Sequence, residues 1–256
     1  MRYFDAHVHL DLMTNAAEVA SQAQGLGLGA LSCTVEPAGY APAMQELAKA
    51  EDIHVALGAH PWWVADGRVS GADIDSLVEM LATTRLVGEV GLDFSPKHVR
   101  PGSRGAQMEA FSRIVSACVE TSDPSHPKVL SIHSVRAATT VLDLLEREGA
   151  TSACRCVFHW FSGSTDELWR AVRDGCWFSL GERSLATGKG REYAKLVPKD
   201  RLLTETDYPP RESAPGSAEE VVESLRRALA GLATARKCEE GEIQELMVEN
   251  ARALLA

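Results

Sequence analysis

The chain alternates short, β-rich apolar runs with segments of helical spacing, and it does so eight times. The runs are 3–7 (YFDAH), 29–34 (GALSCT), 53–58 (IHVALG), 85–89 (RLVGE), 128–132 (KVLSI), 155–158 (RCVF), 176–180 (CWFSL) and 201–205 (RLLTE). Eight strand-then-helix units within 256 residues match the arithmetic of a closed barrel, whereas a doubly wound sheet usually carries fewer. The expected fold class is therefore α/β, a (β/α)8 TIM barrel. Residues 1–256 read as one domain, because single cores stop growing only at roughly 250–300 residues and no linker, repeat or composition break divides the chain. The Gly/Pro/Ser-rich pieces at 95–105 and 209–217 read as long βα loops.

The intervening helices are expected to be amphipathic. After Ser103 the set Met108, Phe111, Val115 and Cys118 falls on one face, and Val221, Val222, Leu225, Leu229 and Leu232 do the same later. Ser217 with Glu220 three places on reads as a capping box.

Composition narrows the classes of function. With 45% hydrophobic and 24% charged residues the chain is ordinary globular protein. The opening MRYFDAHVHL places histidines and an aspartate where a signal peptide needs an apolar core, and no window approaches the ~18 apolar residues of a membrane span. The expectation is a soluble, cytoplasmic protein with no membrane partner. Cys33, Cys118, Cys154, Cys156, Cys176 and Cys238 show neither zinc-ribbon spacing nor disulfide-scaffold density, so they read as reduced, mostly buried thiols. A net charge of −10 opposes a broad electrostatic grip on duplex nucleic acid. Any phosphate-bearing substrate must be met locally, and Lys97, Arg100 and Arg104 in one loop and Arg183, Lys189 and Arg191 in another offer cations on the catalytic face.

Barrel enzymes place their active sites at the C-terminal ends of the strands. Those ends carry His7 and His9 (strand one), Glu89 (strand four), His133 (strand five), His159 (strand six) and Asp207 (strand eight). Residues i and i+2 of a strand point the same way, so His7 and His9 can reach one ion. His133 and His159 each close an apolar run, which keeps the strand buried until a polar ring is presented. Four histidines and two carboxylates form a mixed N/O donor set suited to Zn²⁺, Mn²⁺ or similar ions. The set exceeds one tetrahedral site, which points to two ions with Glu89 or Asp207 as the bridging carboxylate.

These residues sit in motifs that resemble the TatD family of metal-dependent hydrolases, within the amidohydrolase-like barrels. The motifs are DAHVHLD at 5–11, GAHP at 58–61, VGEVGLD at 87–93, SIHS at 131–134, FHWFSGS at 158–164, GCWFSLG at 175–181 and LLTETDYP at 202–209. The resemblance implies a two-metal barrel with His7, His9, Glu89, His133, His159 and Asp207 as ligands, using Zn, Mn or Mg to hydrolyse phosphodiesters in DNA. SCTVEP at 32–37, HWFSG at 159–163 and GCWFS are more similar to the TatD-type component of Qat anti-phage defence systems, which implies partners encoded in a defence operon.

In such a site Asp207 is the expected base, with Glu89 bridging the ions. Glu205, two residues before Asp207, is a candidate to orient a ligand histidine. His60, in the GAHP turn, is a candidate for contact with substrate phosphate or the metal shell, and Asp93, expected in a loop, for holding a metal-bound histidine or water. Trp62, Trp63 and Trp160 flank ligand positions and are candidates for stacking on bases. Two other readings compete. One is an amidohydrolase acting on a C–N bond, which the glutamate at position 89 weighs against, since a carbamylated bridge needs lysine there. The other is a metal-stabilised interaction subunit of a defence complex.

Overall fold

The computed structural model describes residues 1–256. All eight expected strands form: β1 (Tyr3–Val8), β2 (Leu28–Cys33), β3 (Ile53–Ala56), β4 (Leu86–Asp93), β5 (Val129–Val135), β6 (Arg155–His159), β7 (Trp177–Leu180) and β8 (Leu202–Thr204). Each is followed by at least one helix. β1, β2, β7 and β8 are buried along their whole length, as parallel strands flanked by helices must be.

The chain forms two compact units. The first comprises Met1–Cys33, Ala41–Val55 and Phe178–Ala256, the second Thr34–Tyr40 and Ala56–Trp177. In the first unit β1 pairs with β2 and β7 with β8, both parallel. The end of β8 is tied to β1: the Thr204 hydroxyl donates to the Phe4 carbonyl at 3.0 Å, and the Asp207 N–H to the His7 carbonyl at 2.9 Å. In the second unit Leu57, just past β3, bridges to Val87, and β4, β5 and β6 lie side by side in parallel.

Two irregularities bear on the site. The β1–β2 register slips between Asp5 and Val8, and the β4–β5 register between Val87 and Val90. An extra residue in one strand re-aims its side chains, and here the slips fall at His7 and Glu89.

Several expectations are corrected. β4 runs on to Asp93, so this residue ends a strand and is fully buried, not placed in a loop, while Glu89 in β4 and His133 in β5 lie within their strands and not at the ends. β8 stops at Thr204, which leaves Glu205 and Asp207 beyond the strand. In the helix Arg104–Glu120 the buried residues are Gln107, Ala110, Phe111, Ile114, Val115, Ala117 and Cys118, while Met108 is 37% exposed. The polar Gln107 takes the inner position because its amide closes on the Asp93 backbone, accepting from the N–H at 2.8 Å and donating to the carbonyl at 2.9 Å. The helix Ala218–Arg236 buries the expected stripe. Its Ser217 cap accepts from the Glu220 N–H, but the Ser217 hydroxyl donates to Glu219, so only half of the expected box forms. Lys189 and Arg191 lie on the helix Gly188–Leu196 and not in an open loop. The six cysteines are free and all but Cys238 are buried; burial pushes the Cys176 thiol up to about 12, well away from reactive thiolate. No helix is long and apolar enough to cross a membrane.

Candidate metal centre

In the first unit the β1 end presents His7 and His9 with their Nε2 atoms 3.2 Å apart. His9 follows the strand at the start of a short 3-10 turn, yet the shared direction expected of i and i+2 is kept. The Nδ1 atom of His9 lies 2.6 Å from the Cys33 carbonyl, which can only accept, so Nδ1 carries the proton and Nε2 keeps its lone pair. Asp207 brings Oδ1 to 3.6 Å from His9 Nε2 and 3.9 Å from His7 Nε2. Its backbone is left-handed, with φ 56°, a conformation costly for a side-chain-bearing residue and one that surrounding structure must hold. The hydrogen bond from its N–H to His7 is part of that hold.

Asp5 lies beneath this pair, fully buried. It accepts the His7 N–H at 3.1 Å, the Thr206 N–H at 3.0 Å and the Thr206 hydroxyl at 2.5 Å. Burial raises its carboxyl to about 7, against the pull of these donors and with the help of the nearby Asp207 charge. Glu205 is also buried, with Oε2 accepting the Ser179 hydroxyl at 2.5 Å.

The second unit gathers its residues around Glu89. Its Oε1 lies 2.6 Å from His133 Nδ1, 2.8 Å from His159 Nε2 and 3.2 Å from His60 Nε2. All four side chains are buried, and ligand atoms of His60, Glu89 and His133 lie within 4.8 Å of one another. Two glycines permit the approach. A Cβ on Gly91 (φ 143°) would strike the His133 backbone, and one on Gly58 would strike the Thr34 carbonyl and crowd the Glu89 amide.

The tautomers follow from the partners. His60 Nδ1 accepts the Trp62 N–H at 3.1 Å, so the His60 proton sits on Nε2 and points at Glu89. His133 faces carboxylates at both nitrogens, Glu89 at Nδ1 and Asp93 at Nε2 (3.2 Å). Burial disfavours its charge, but hydrogen bonds and charge from Asp93 and Glu89 prevail and raise it to about 9. Asp93 is the hub of this side. Oδ2 also accepts the Trp62 indole N–H at 2.6 Å and His98 Nδ1 at 3.0 Å, while Oδ1 accepts the Ser95 N–H at 2.7 Å. Burial opposes its ionisation, yet the donors from His133, Trp62 and Ser95 hold it well below the usual carboxylate range.

The structure thus brings His7, His9 and Asp207 together in one unit, and Glu89, His133, His159, His60 and Asp93 in the other. Sequence reasoning missed Asp5, His98 and the Cys33 carbonyl. Asp5 was legible as the first residue of DAHVHLD, since an acid inside an apolar strand must be held by donors. His98 had no signal beyond being a loop histidine.

Comparison with known proteins places these features in a lineage. The sequence model of the family described as TatD related DNase matches residues 4–256. The uncharacterized metal-dependent hydrolase YabD of Bacillus subtilis (strain 168) is 28% identical over 214 residues, 80% of each chain. Deoxyribonuclease TATDN3 of Homo sapiens is 26% identical over 219 residues, 80% of this chain and 77% of that one. The crystal structure of YjjV, a TatD homolog from Escherichia coli K12, superposes with a TM-score of 0.81 at 22% identity, covering 99% of this chain and 98% of that one. At that identity the likeness concerns fold, and it bears out the α/β, (β/α)8 class expected from the eight units.

Proposed function

Because the chain belongs to the TatD-related DNases, a family of metal-dependent hydrolases, we propose that it hydrolyses phosphodiester bonds in DNA with two divalent ions, Zn, Mn or Mg. The proposed ligands are His7, His9, Glu89, His133, His159 and Asp207, with residues 1–256 working as one catalytic barrel. The observation that carries the reading is the convergence of two buried ligand-type nitrogens, His133 Nδ1 and His159 Nε2, on Glu89 Oε1 at 2.6 and 2.8 Å. Two imidazoles and a carboxylate whose donor atoms meet at one buried point are a mixed N/O set suited to a divalent cation. The facing Nε2 atoms of His7 and His9 support it independently.

When bound, a pair of divalent ions lowers the pKa of a water and steadies the attacking and leaving oxygens of a phosphoryl centre. The rest falls to side chains. Asp207, whose carboxylate is 25% exposed, takes the proton from the attacking water. Glu89 would hold the ions through its carboxylate. His9 is locked by the Cys33 carbonyl in the tautomer that leaves Nε2 to bind. Asp93 retains the His133 Nε2 proton, so that Nδ1 is the binding atom once its own proton leaves. His60 donates from Nε2 to a phosphate oxygen of the substrate, and Glu205, braced by Ser179, orients a ligand histidine.

Elemental analysis of the purified protein and of His7→Ala/His9→Ala, alongside cleavage of single-stranded DNA, duplex DNA and RNA oligonucleotides, tests this reading. The expected result is about two ions per chain in the wild type, fewer in the variant, and DNA cleavage that follows metal content. Unchanged metal in the variant overturns the ligand set. Ammonia release from cyclic amides without phosphodiester cleavage identifies an amidohydrolase. Bound ions with no cleavage, in a stable complex with products of neighbouring genes, identify an interaction subunit.

The similarity of SCTVEP, HWFSG and GCWFS to the TatD-type Qat component supports service in anti-phage defence beside other proteins of one operon. Plaque counts on cells carrying that operon with Glu89→Gln test it; undiminished protection removes the catalytic contribution to defence.

A further inference from the structure

Three tryptophans follow His60 or His159 in the chain, and the structure treats them differently. Trp63 lies under the Arg68 guanidinium, 4.0 Å from its ring centroid. Trp160 is half-buried beside His159, with its backbone left-handed at φ 38°. Trp62 is 37% exposed although its indole N–H is anchored on Asp93 at 2.6 Å. A large apolar ring left in water while its edge is pinned is held in place for something other than packing.

Its neighbours show where it stands. Ring centroids of His60 and His133 lie 4.9 and 6.1 Å from that of Trp62, so the indole borders the Glu89 cluster. His98, 39% exposed, sets its imidazole 4.8 Å from the indole at a tilt of 46°, and its Nδ1 shares the same Asp93 oxygen. One buried carboxylate therefore holds two half-exposed rings and a candidate ligand histidine in a single arrangement. Lys97 and Arg100, exposed on the segment that carries His98, add positive charge without a neighbouring acid on that segment. In the second group of cations expected from the sequence, Arg191 is differently occupied, donating to the Leu185 and Ala186 carbonyls at 3.1 and 2.8 Å.

We propose that Trp62, fixed by Asp93 and backed by His98, is the platform on which an unpaired base of the substrate strand stacks beside the reacting phosphate, with Lys97 and Arg100 meeting the adjoining backbone. The proposal rests on the phosphodiesterase reading. Aromatic faces and backbone cations side by side are what sequence-tolerant grip on a nucleic-acid strand requires. The pinned edge matters because a ring already ordered loses little freedom when a base lands on it. A contribution from stacking also suits a protein of net charge −10, which cannot depend on phosphate contacts alone.

The test compares a short DNA oligonucleotide with the same oligonucleotide carrying an abasic residue at one terminus or the other, using the metal-loaded enzyme. For the wild type, one abasic terminus should raise KM about 5- to 150-fold, equivalent to ~1–3 kcal/mol for one stacked base. Trp62→Ala should raise KM for the intact oligonucleotide by a similar factor and show no further response to the abasic end. Trp62→Phe, which keeps a ring but not the bond to Asp93, should raise KM by less than Trp62→Ala does. Binding is read independently of turnover with 2-aminopurine at the sensitive terminus and phosphorothioate outer linkages. Its emission should be quenched by wild type and Trp62→Phe, and not by Trp62→Ala.

If Trp62→Ala responds to the abasic end as the wild type does, the platform is elsewhere. If Trp62→Phe is as impaired as Trp62→Ala, the hydrogen bond to Asp93 matters and stacking does not. Cleavage by the wild type that ignores the missing base at both ends overturns the platform while leaving the phosphodiesterase reading intact. Failure to bind or cleave any oligonucleotide overturns both.

Discussion

Asp93→Asn asks how much of the candidate site depends on one buried carboxylate that binds no ion in the proposed scheme. Asp93 accepts four donors, the Ser95 N–H on Oδ1 and Trp62, His98 and His133 on Oδ2. An asparagine that keeps its oxygen on the Oδ2 side retains three of them and turns its own NH₂ toward the Ser95 N–H, donor against donor. A buried donor left without an acceptor costs about 1–3 kcal/mol, and a charge-assisted bond that becomes neutral loses roughly 1 kcal/mol. That loss counts fully only at buried His133, since Trp62 and His98 are partly in water. The sum is about 3 kcal/mol, or a Tm lower by roughly 6–12 °C in a chain of this size.

The pH dependence carries a sign. Asp93 is held below its unfolded value, so its share of stability is present above about pH 4 and lost as pH falls through the folded pKa. His133 is raised to about 9, so the same interaction is fully present below about pH 6.5 and lost as pH rises through 9. In chelator, the destabilisation by Asp93→Asn should therefore be greatest between about pH 4 and 6.5 and shrink toward alkaline pH. Competition with a chromophoric chelator should show metal affinity reduced by about 10–100-fold, the usual effect of removing a carboxylate behind a ligand histidine. Stability within about 0.5 kcal/mol of wild type across that window, together with unchanged metal affinity, would refute the account of Asp93 as hub.

Glu89→Gln should abolish hydrolysis without unfolding the protein, because the barrel core does not depend on that charge; turnover within about tenfold of wild type, ~1.4 kcal/mol, rules out a bridging role. Asp207→Asn should lower kcat about 10²–10⁴-fold with a smaller effect on substrate binding, and lose any rise of rate with pH that Asp207 sets. Recovery of its turnover in excess Mn²⁺ or Zn²⁺ would show that Asp207 only holds an ion. Asp5→Asn concerns a carboxyl raised from 3.8 to about 7, whose contribution to stability is present below about pH 4 and lost as pH rises through 7. Metal-free wild type should lose about 4 kcal/mol relative to Asp5→Asn over that span, at ~1.4 kcal/mol per pH unit, and a pH-independent difference in urea melts contradicts this.

Strand identity and order were legible in the sequence, because a buried parallel strand needs an apolar run and the following helix needs a 3.6-residue stripe, both local properties of the chain. The ligand-type residues were legible because each lies in or just after such a run, as His159 closes β6, and His7 and His9 are joined by covalent spacing. Met108 shows the limit of that reasoning. Its spacing suits the inner face of its helix, but Gln107 occupies that face because the Asp93 backbone, 14 residues away, needs its amide. What depended on tertiary contacts was protonation, orientation and exposure. The Cys33 carbonyl selects the tautomer of His9 across 24 residues, Trp62 and Asp93 meet across 31, and Thr206 reaches Asp5 across 201. Hydrogen-bond partners and desolvation arise where separate elements pack together. Only the folded chain could therefore set Asp93 as a hub, leave the Trp62 ring half in water, and hold Asp207 in a left-handed backbone beside His7 and His9.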